Sequence, residues 1–362
     1  MTVLDDTDPT DPAHLVEETR VHGSTYTSQA VFDREMDKLF SQGWVYVAHE
    51  SEIADPGDYV TRNMGREPVI VSRAKDGSVH VLTNRCTHRG NKICTAAAGN
   101  TSSHQCPYHG WTYDLDGRLM SAPRMAGVAT FNREKMGLLR RHAATWGPLL
   151  FLYMGGDPPN LDAVMAPLDE RLGPTLWSGL TWAGGEDHVV ESNWKVYVDN
   201  YLDGGYHVAT LHKRLTDDLD MDTYTTETLD TASIQRVGGA PDATRIGEGA
   251  QYAWVYPNLM VNRYGPVLDV NIVVPERCDR TTVRFDYWFE ETEGAEAQRF
   301  MAESRAKSRE VQEEDAAICL AVQRGLASIG YDTGRYAPQV EVGEHHFHRL
   351  LARDYRAAIA ED

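Results

Sequence analysis

The sequence is short of positive charge and of long apolar runs. It has 35 Lys and Arg against 54 Asp and Glu, which gives a formal net charge of −19. That charge argues against nucleic acids and anionic membranes as partners and adds only slight support for a cationic ligand. No apolar run approaches the ~20 residues of a membrane-spanning helix, and the acidic N-terminal stretch is unlike a signal peptide. We therefore expect a cytoplasmic protein with no membrane partner.

Cysteine is also scarce, and nucleotide-binding motifs are missing. The five cysteines form an odd set, which suits a reducing compartment better than a disulfide framework. Neither a G-x-G-x-x-G after a predicted strand nor a P-loop occurs in the chain, so the sequence offers no obvious nicotinamide or nucleotide site. Any redox centre in this chain must then receive its electrons from a separate protein.

What the sequence does contain is two short Cys-plus-His pairs. Cys86-Thr-His88 is followed, seventeen residues later, by Cys106-Pro-Tyr-His109. Two thiolates with two imidazoles suit zinc or an iron–sulfur centre. A Cys2His2 zinc site usually takes both cysteines from one loop and both histidines from another, whereas here each loop offers one of each. That division favours a Rieske 2Fe–2S cluster, in which one iron takes both thiolates and the other takes both imidazoles; a zinc knuckle is the alternative.

The residues beside these pairs agree with a cluster. Gly90 and Gly110 follow the two pairs, and glycine lets backbone amides approach the bridging sulfides. Asp116-Gly117 predicts a hairpin turn that leaves the second loop. The remaining cysteines are expected to be ordinary reduced thiols; they are Cys94, Cys278 and Cys319.

A second group of metal-binding residue types lies in the segment 193–212, which we expect to form one helix. Asp199, Asp203 and His207 are spaced four residues apart and would share one helix face. His207 and His212 are five residues apart, which would turn them ~140° away from each other on an unbroken helix. They can meet at one metal only if the helix is broken or bulged between them. Without such a break, a structural role for both histidines is the simpler interpretation.

A long helix is predicted over 295–329, and it carries a further candidate, Asp315. This aspartate falls inside an apolar stripe that we expect to be buried, formed by Val311, Ile318, Val322 and Leu326. A buried carboxylate is costly unless it is paired or binds a metal. Two histidines and one aspartate with open positions make the facial triad of non-haem Fe(II) oxygenases. His207, His212 and Asp315 are therefore candidate ligands of such an iron.

Turn residues and apolar runs divide the chain into three parts and predict an α+β fold. Residues 1–43 would form a loosely packed arm, over 1–20, and a short helix, over 29–41. Residues 44–158 predict a small antiparallel β domain, and residues 159–362 a second domain of antiparallel strands and helices that begins with a linker helix at 161–172. The predicted strands are 44–48, 59–63, 68–72, 79–82, 149–154, 252–256, 259–264, 267–274 and 281–289.

From about Trp44 onward, the chain resembles the α subunits of the Rieske-type non-haem iron oxygenases. The two Cys-plus-His pairs match the Rieske domain of that family, and the segments 199–212 and 311–315 match its iron-binding regions. The resemblance implies a catalytic domain of the helix-grip type. The residues implied to hold the 2Fe–2S cluster are Cys86, His88, Cys106 and His109. Those implied to ligate a mononuclear Fe(II) are His207, His212 and Asp315, with Asn200 nearby.

The resemblance also implies partners. A separate NAD(P)H-dependent reductase or a ferredoxin would supply electrons, and O2 and a small molecule would be the substrates. The family forms ring-shaped trimers, because the cluster and the iron of one subunit lie too far apart. Its members use an acidic residue three positions before the first histidine to bridge the iron site to the neighbour's cluster. Here that position is Gly204, so Asp203 is the first candidate for the bridge and Asp199 the second.

Within the family, the chain is most similar to the choline monooxygenase-like branch, which oxidises quaternary ammonium compounds. The segments that carry this similarity are 199–208, 255–266, 322–326 and 345–348. A quaternary ammonium has no hydrogen to donate and prefers aromatic faces. The aromatic side chains that could supply such faces are Tyr201, Tyr206, Tyr252, Trp254, Tyr256, Tyr264 and Trp288, and we expect about two-thirds of them to be core residues instead.

Several alternatives stay open at this point. The chain could be an aromatic-ring-hydroxylating α subunit, or a Rieske electron-transfer protein without oxygenase activity. Glu313 and Glu314 are expected to be solvated, or at most to support a ligand. The His345-His346-x-His348 stretch imitates a metal site, but we expect a solvated or packing segment.

Overall fold

The computed structural model describes residues 23–173, 176–241, 246–331 and 333–360. The arm predicted over 1–20 lies outside the described residues. The chain forms two compact units: one is Met36–Met165, and the other joins the residues up to 35 with those from 166 onward. Both units are built on antiparallel sheets and the second adds long helices, so the predicted α+β class is confirmed. None of the described helices is long and apolar enough to cross a membrane.

The unit Met36–Met165 contains the strands predicted between the turn motifs of the first half of the chain. Its strands are β1 Val45–His49, β2 Asp58–Met64, β3 Glu67–Arg73, β4 Val79–Thr83, β5 Ala98–Asn100, β6 His104–Gln105, β7 Thr112–Tyr113, β8 Leu119–Ser121, β9 Arg140–Trp146 and β10 Leu149–Tyr153. They form a seven-stranded sheet in the order β1-β10-β9-β4-β3-β2-β5 and a three-stranded sheet in the order β6-β7-β8. Short 3-10 turns cover Glu50–Ile53 and Arg133–Met136. Gly57 and Gly77 hold positive φ angles of 93° and 87°, as the two predicted turns require.

A small apolar core lies beneath the loops that follow β4 and β6. Ile70, Leu82, Trp111 and Tyr113 are buried there, and each side chain of this size contributes about 1.5–3 kcal/mol when it is removed from water. The buried side of these loops is therefore fixed by packing.

The second unit is organised around one large sheet. Its strands are β11 Thr181–Val190, β12 Leu219–Thr228, β13 Ala232–Gly239, β14 Gly249–Val255, β15 Leu259–Tyr264, β16 Val267–Arg277 and β17 Arg280–Phe289. The order is β11-β17-β16-β15-β14-β13-β12, and every neighbouring pair is antiparallel. β14 to β17 coincide with predicted strands. β11, β12 and β13 were not predicted. Most side chains of β11 and β12 are exposed or half-buried, and β12 is rich in Thr, Asp and Glu.

The helices of the described residues are α1 Ser24–Thr27, α2 Gln29–Arg34, α3 Leu161–Leu172, α4 Trp194–Leu202, α5 Val208–Leu211, α6 Lys213–Thr216, α7 Gly294–Leu326 and α8 Val342–Ala360. A π-helical turn over Glu35–Leu39 continues α2. The helices predicted over 29–41, 161–172 and 295–329 are thus confirmed to within a few residues. Phe347 of α8 packs edge to face against Trp194 of α4 and Trp254 of β14, with ring centroids 5.7 and 5.3 Å apart, respectively.

The predicted single helix over 193–212 is wrong. The Asn193 side chain accepts a hydrogen bond from the Lys195 backbone N–H and starts α4, but the helix ends at Leu202. Gly204 and Gly205 then take positive φ angles of 71° and 74°, which an α-helix does not allow. A Cβ atom on Gly204 would lie 2.1 Å from the carbonyl oxygen of Val340, so only glycine fits there.

The apolar stripe predicted on the long helix is also wrong, although Asp315 is buried. Ile318 and Val322 are 39% and 44% exposed, whereas the buried face of α7 carries mostly polar residues. Two of them are satisfied by hydrogen bonds: Tyr197 Oη donates to Gln312 Oε1 at 2.7 Å, and the Asn193 N–H donates to Gln323 Oε1 at 2.9 Å. Polar partners offset the cost of burial, which apolar periodicity does not register.

Candidate metal centres and the adjoining cavity

The two Cys-plus-His loops have the same backbone turn. The N–H of Gly90 donates to the carbonyl of Cys86 at 2.9 Å, and the N–H of Gly110 donates to the carbonyl of Cys106 at 3.0 Å. Both glycines have a φ angle of 72°, which residues with a Cβ rarely adopt. Two equivalent turns therefore present the two Cys–His pairs.

The donor atoms of these loops differ in burial. Cys86 and Cys106 are only 3% and 1% exposed, whereas His88 and His109 are exposed, with ring centroids 4.6 Å apart. Tyr113 Oη lies 3.2 Å from Cys86 Sγ. Burial, together with the hydrogen bond to Cys86, raises the pKa of Tyr113, so this phenol stays a donor that stabilises a thiolate.

The division of the four donors into two thiolates and two imidazoles suits two metal ions better than one. The thiolates lie inside and the imidazoles outside, as a cluster with one iron for each pair would need. The residues present therefore fit a 2Fe–2S group.

The second candidate centre brings His207, His212 and Asp315 together. Their ligand atoms all lie within 4.8 Å of one another. Asp315 Oδ1 is 3.0 Å from His212 Nε2 and 3.9 Å from His207 Nε2. The break at Gly204-Gly205, together with the change of direction at His212 between α5 and α6, lets both histidines face α7. Two imidazoles and one carboxylate at these distances fit a facial Fe(II) site.

Each histidine has a carboxylate on its other ring nitrogen. Asp203 Oδ2 lies 2.6 Å from Nδ1 of His207 and also accepts a hydrogen bond from the His207 backbone N–H at 3.0 Å. Glu314 Oε2 lies 2.6 Å from Nδ1 of His212. With both Nδ1 atoms occupied, both Nε2 atoms are available to a metal. From the sequence, Glu314 is expected to be solvated or at most to support a metal ligand. The structure places it against His212, a contact that residue spacing alone does not show.

Charge around His212 is strongly negative. Burial alone would lower the pKa of His212, but hydrogen bonds and charge from Asp315, and then from Glu314, outweigh burial and raise it. Asn200 Nδ2 donates to Asp315 Oδ1 at 2.8 Å, which holds the carboxylate in place. These surroundings favour a cation at this position.

Asp199 does not share a face with His207, contrary to the helix prediction. Tyr26 Oη donates to Asp199 Oδ2 at 2.8 Å, and His348 Nε2 lies 2.9 Å from Asp199 Oδ1. Asp199 thus belongs to a separate buried network, because α4 ends before the chain reaches Asp203.

The three histidines near the C-terminus are packing residues of α8 and are not solvated. His345, His346 and His348 are all buried. His348 could form a metal-binding group with Asp199 and Glu344, but its ring nitrogens already meet tyrosine hydroxyls: Tyr336 Oη is 2.6 Å from Nδ1, and Tyr26 Oη is 3.0 Å from Nε2. The packing interpretation is confirmed, and the solvated one is wrong.

A cavity of about 150 Å³ adjoins His207, His212 and Asp315. A cavity of this volume can hold a molecule the size of benzene. Its aromatic lining is Tyr197, Tyr201, Tyr252, Tyr264 and Phe285. Three of the seven aromatic candidates from the sequence therefore line it. The other four, which do not, are Tyr206, Trp254, Tyr256 and Trp288.

The cavity lining includes a buried carboxylate, that of Asp269. Its Oδ1 accepts hydrogen bonds from Asn262 Nδ2 at 2.7 Å and from Asn271 Nδ2 at 2.9 Å. Its Oδ2 accepts one from Tyr264 Oη at 2.5 Å. Tyr201 Oη in turn donates to Asn262 Oδ1 at 2.7 Å. The lining thus combines aromatic rings with two carboxylate side chains, those of Asp269 and Asp315.

Two family descriptions match the chain. Residues 43–132 match the Rieske 2Fe-2S domain, and residues 180–357 match the ring hydroxylating alpha subunit (catalytic domain). These two regions contain all four cluster candidates and all three iron candidates, respectively.

Relatives of known type resemble the chain over two-thirds of its length or more. The chloroplastic choline monooxygenase of Arabidopsis thaliana is 38% identical over 344 residues, which cover 91% of this chain and 81% of that protein. The alpha subunit of benzene 1,2-dioxygenase from Pseudomonas putida is 31% identical over 258 residues, which cover 68% of this chain and 56% of that subunit. A solved structure of the quaternary ammonium Rieske monooxygenase CntA, in complex with an inhibitor, is 27% identical with a TM-score of 0.85, and covers 98% of this chain and 99% of its own.

These matches confirm the predicted cofactors and enzyme class. The protein carries a Rieske 2Fe–2S cluster and a mononuclear iron, which the donor sets of the two centres fit. Oxygenases of this kind use O2 and take electrons from a reductase or a ferredoxin. The chain belongs to the Rieske non-haem iron oxygenases, as an α subunit.

Proposed function

We propose that this oxygenase hydroxylates a small quaternary ammonium compound, by choline-like oxidation or by N-demethylation. The observation that carries the proposal is the cavity beside His207, His212 and Asp315, which offers aromatic faces and a carboxylate. A quaternary ammonium cannot donate a hydrogen bond, and such cations are bound by aromatic rings. Relatives point the same way: the Arabidopsis thaliana protein is a choline monooxygenase, and CntA has been solved with its substrate L-carnitine.

We infer the following assignment of residues. The cluster ligands are Cys86, His88, Cys106 and His109, in a domain over 44–158. The iron ligands are His207, His212 and Asp315, in a catalytic domain over 159–362 that follows the arm and helix over 1–43. When bound, the cluster would supply single electrons and the iron would supply the activation of O2 toward a C–H bond.

The residues of the chain would bind and orient the substrate. Tyr201, Tyr252 and Tyr264 would receive the cationic head, and Asp269 would add negative charge near it. Asn200 would keep the Asp315 carboxylate turned toward the two histidines. The apolar lining that would exclude bulk water consists of Val208, Leu215, Leu219, Ile246 and Val311.

Electrons would arrive from outside the subunit. We propose a homotrimer in which Asp203 bridges His207 to the cluster of a neighbouring subunit, supported by the Asp203–His207 contact. Both cluster imidazoles are exposed on their unit, which suits exchange with a neighbour and with an NAD(P)H-dependent reductase or a ferredoxin. CntA has also been described in terms of inter-subunit electron transfer. The cytoplasmic location expected from the sequence stays a prediction.

The test is substrate-dependent O2 consumption with a reductase, using matched cationic and neutral compounds. We expect turnover of choline or a betaine, and much weaker turnover of 3,3-dimethylbutan-1-ol, the neutral carbon analogue of choline. The product identifies the reaction: aldehyde hydrate indicates choline-like oxidation, and formaldehyde indicates demethylation. Equal use of the neutral analogue, or a cis-dihydrodiol from benzene with no reaction of the cations, would contradict the proposal and favour the ring-hydroxylating alternative.

A further inference from the structure

His212 is enclosed by two consecutive acidic residues of α7. Its Nε2 lies 3.0 Å from Asp315 Oδ1, and its Nδ1 lies 2.6 Å from Glu314 Oε2. The His212 side chain is only 2% exposed, whereas that of Glu314 is 37% exposed. The helix α7 thus supplies the candidate iron ligand Asp315. The residue before it, Glu314, contacts Nδ1 of a second candidate ligand, His212.

The contact of Glu314 belongs to a regular row along α7. Lys307 pairs with Asp218, and Glu310 Oε2 lies 2.9 Å from Arg214 Nη1. Positions 307, 310 and 314 are spaced by three and four, so they lie on one side of the helix. Their partners, at 218, 214 and 212, follow one another in reverse order. One side of α7 therefore runs antiparallel along the segment 212–218 and holds it in register.

The other histidine is held differently. Asp203, the partner of His207, comes from the same segment, four residues earlier and across the Gly204-Gly205 turn. Glu314 reaches His212 from an element 102 positions away in sequence. The orientation of His212 therefore depends on a tertiary contact, whereas that of His207 depends on a local one.

We propose that Glu314 is a positioning residue for the metal centre. By accepting a hydrogen bond from Nδ1–H of His212, it fixes the tautomer and the ring plane that present Nε2 to Fe(II). A carboxylate behind a metal-binding histidine commonly has this effect, and its removal typically costs 10–100-fold in metal affinity. The inference rests on the iron site proposed above, but it does not depend on which substrate the enzyme uses.

The experiment measures the Fe(II) dissociation constant of the full chain with its cluster intact, by competition with a chromophoric chelator under nitrogen. Glu314→Ala removes the acceptor, and we expect its affinity to fall about 10–100-fold. Glu314→Gln retains an acceptor oxygen and should recover most of that loss. Glu313→Ala is the matched control, because Glu313 is an exposed glutamate of the same helix, and its affinity should equal that of the unmodified protein.

A second readout separates positioning from a loss of folding. The visible spectrum of the cluster and the thermal midpoint should be the same in all variants, and the ligand-field spectrum of Co(II) at the centre should change only in Glu314→Ala. Unmodified affinity in Glu314→Ala would overturn the inference, as would an equal loss in Arg214→Ala, which breaks the row without touching His212. If the unmodified protein bound no Fe(II) at this centre, the proposed iron site itself would be wrong.

Discussion

Asp203 Oδ2 lies 2.6 Å from Nδ1 of His207 and accepts a second hydrogen bond from the His207 backbone N–H at 3.0 Å. The two residues are four apart, the spacing of neighbours on a helix. They meet here on a glycine turn instead, because α4 ends at Leu202. One carboxylate therefore fixes both the backbone and the ring of a candidate iron ligand.

The Asp203–His207 contact predicts a selective defect in electron transfer. Asn at position 203 keeps an acceptor oxygen for His207 but loses the charge. We expect Asp203→Asn to retain both metal centres while coupled turnover falls by about 10–100-fold or more. Metal analysis, the cluster spectrum and product formation with a reductase check this. Unchanged coupled turnover would remove Asp203 from the electron path.

The aromatic lining predicts a loss of cation affinity when one ring is removed. Tyr252 lines the cavity, and a cation–π contact contributes about 0.5–2 kcal/mol. We expect Tyr252→Leu to weaken binding of a quaternary ammonium substrate by the corresponding factor, roughly 2- to 30-fold. Tyr331→Leu, at an exposed site away from the cavity, is the control. Equilibrium binding measured without O2 gives the comparison, and equal effects of the two substitutions would argue against cation–π binding.

The buried His346 predicts a loss of stability in acid. Burial, with a smaller effect of His345, lowers the pKa of His346 from 6.5 to about 4. The unfolded state therefore binds more protons than the folded state between these values, so the free energy of unfolding falls as pH drops through this window. One such proton changes it by about 1.4 kcal/mol per pH unit.

His346→Gln removes this titration. Urea unfolding at several pH values between 7 and 5 should show the free energy of unfolding of the unmodified protein falling relative to that of the variant as the pH falls, because only the unmodified protein takes up this extra proton when it unfolds. A stability difference that stays constant over the whole range would show that His346 does not titrate in this way.

Short-range patterns in the sequence predict much of the fold and the donor residues of both candidate metal centres. The Cys-plus-His spacing depends only on the two loops themselves, which the structure shows as equivalent turns around Gly90 and Gly110. Strands bounded by turn residues, such as Asp58–Met64 and Glu67–Arg73, were predicted for the same reason.

What the sequence could not supply depends on tertiary contacts. The sequence predicts a solvated Glu314. The spacing of residues along α7 does not show that the segment 212–218 runs beside this side of the helix. The helix predicted over 193–212 fails at Gly204-Gly205, because two successive glycines each cost about 1 kcal/mol inside a helix. The predicted shared face of Asp199 and His207 requires that unbroken helix, whereas the actual partners of Asp199, Tyr26 and His348, are 173 and 149 positions away.

The most direct test of the two-centre account is total iron and acid-labile sulfide in protein purified without air, compared with an Asp315→Ala variant. The account predicts about three irons and two sulfides per chain for the unmodified protein. For the variant it predicts about two irons and two sulfides, with an unchanged cluster spectrum. A third iron that survives Asp315→Ala, or an unmodified protein that holds only two irons even after Fe(II) is added, would contradict the assignment of His207, His212 and Asp315 as the catalytic iron site.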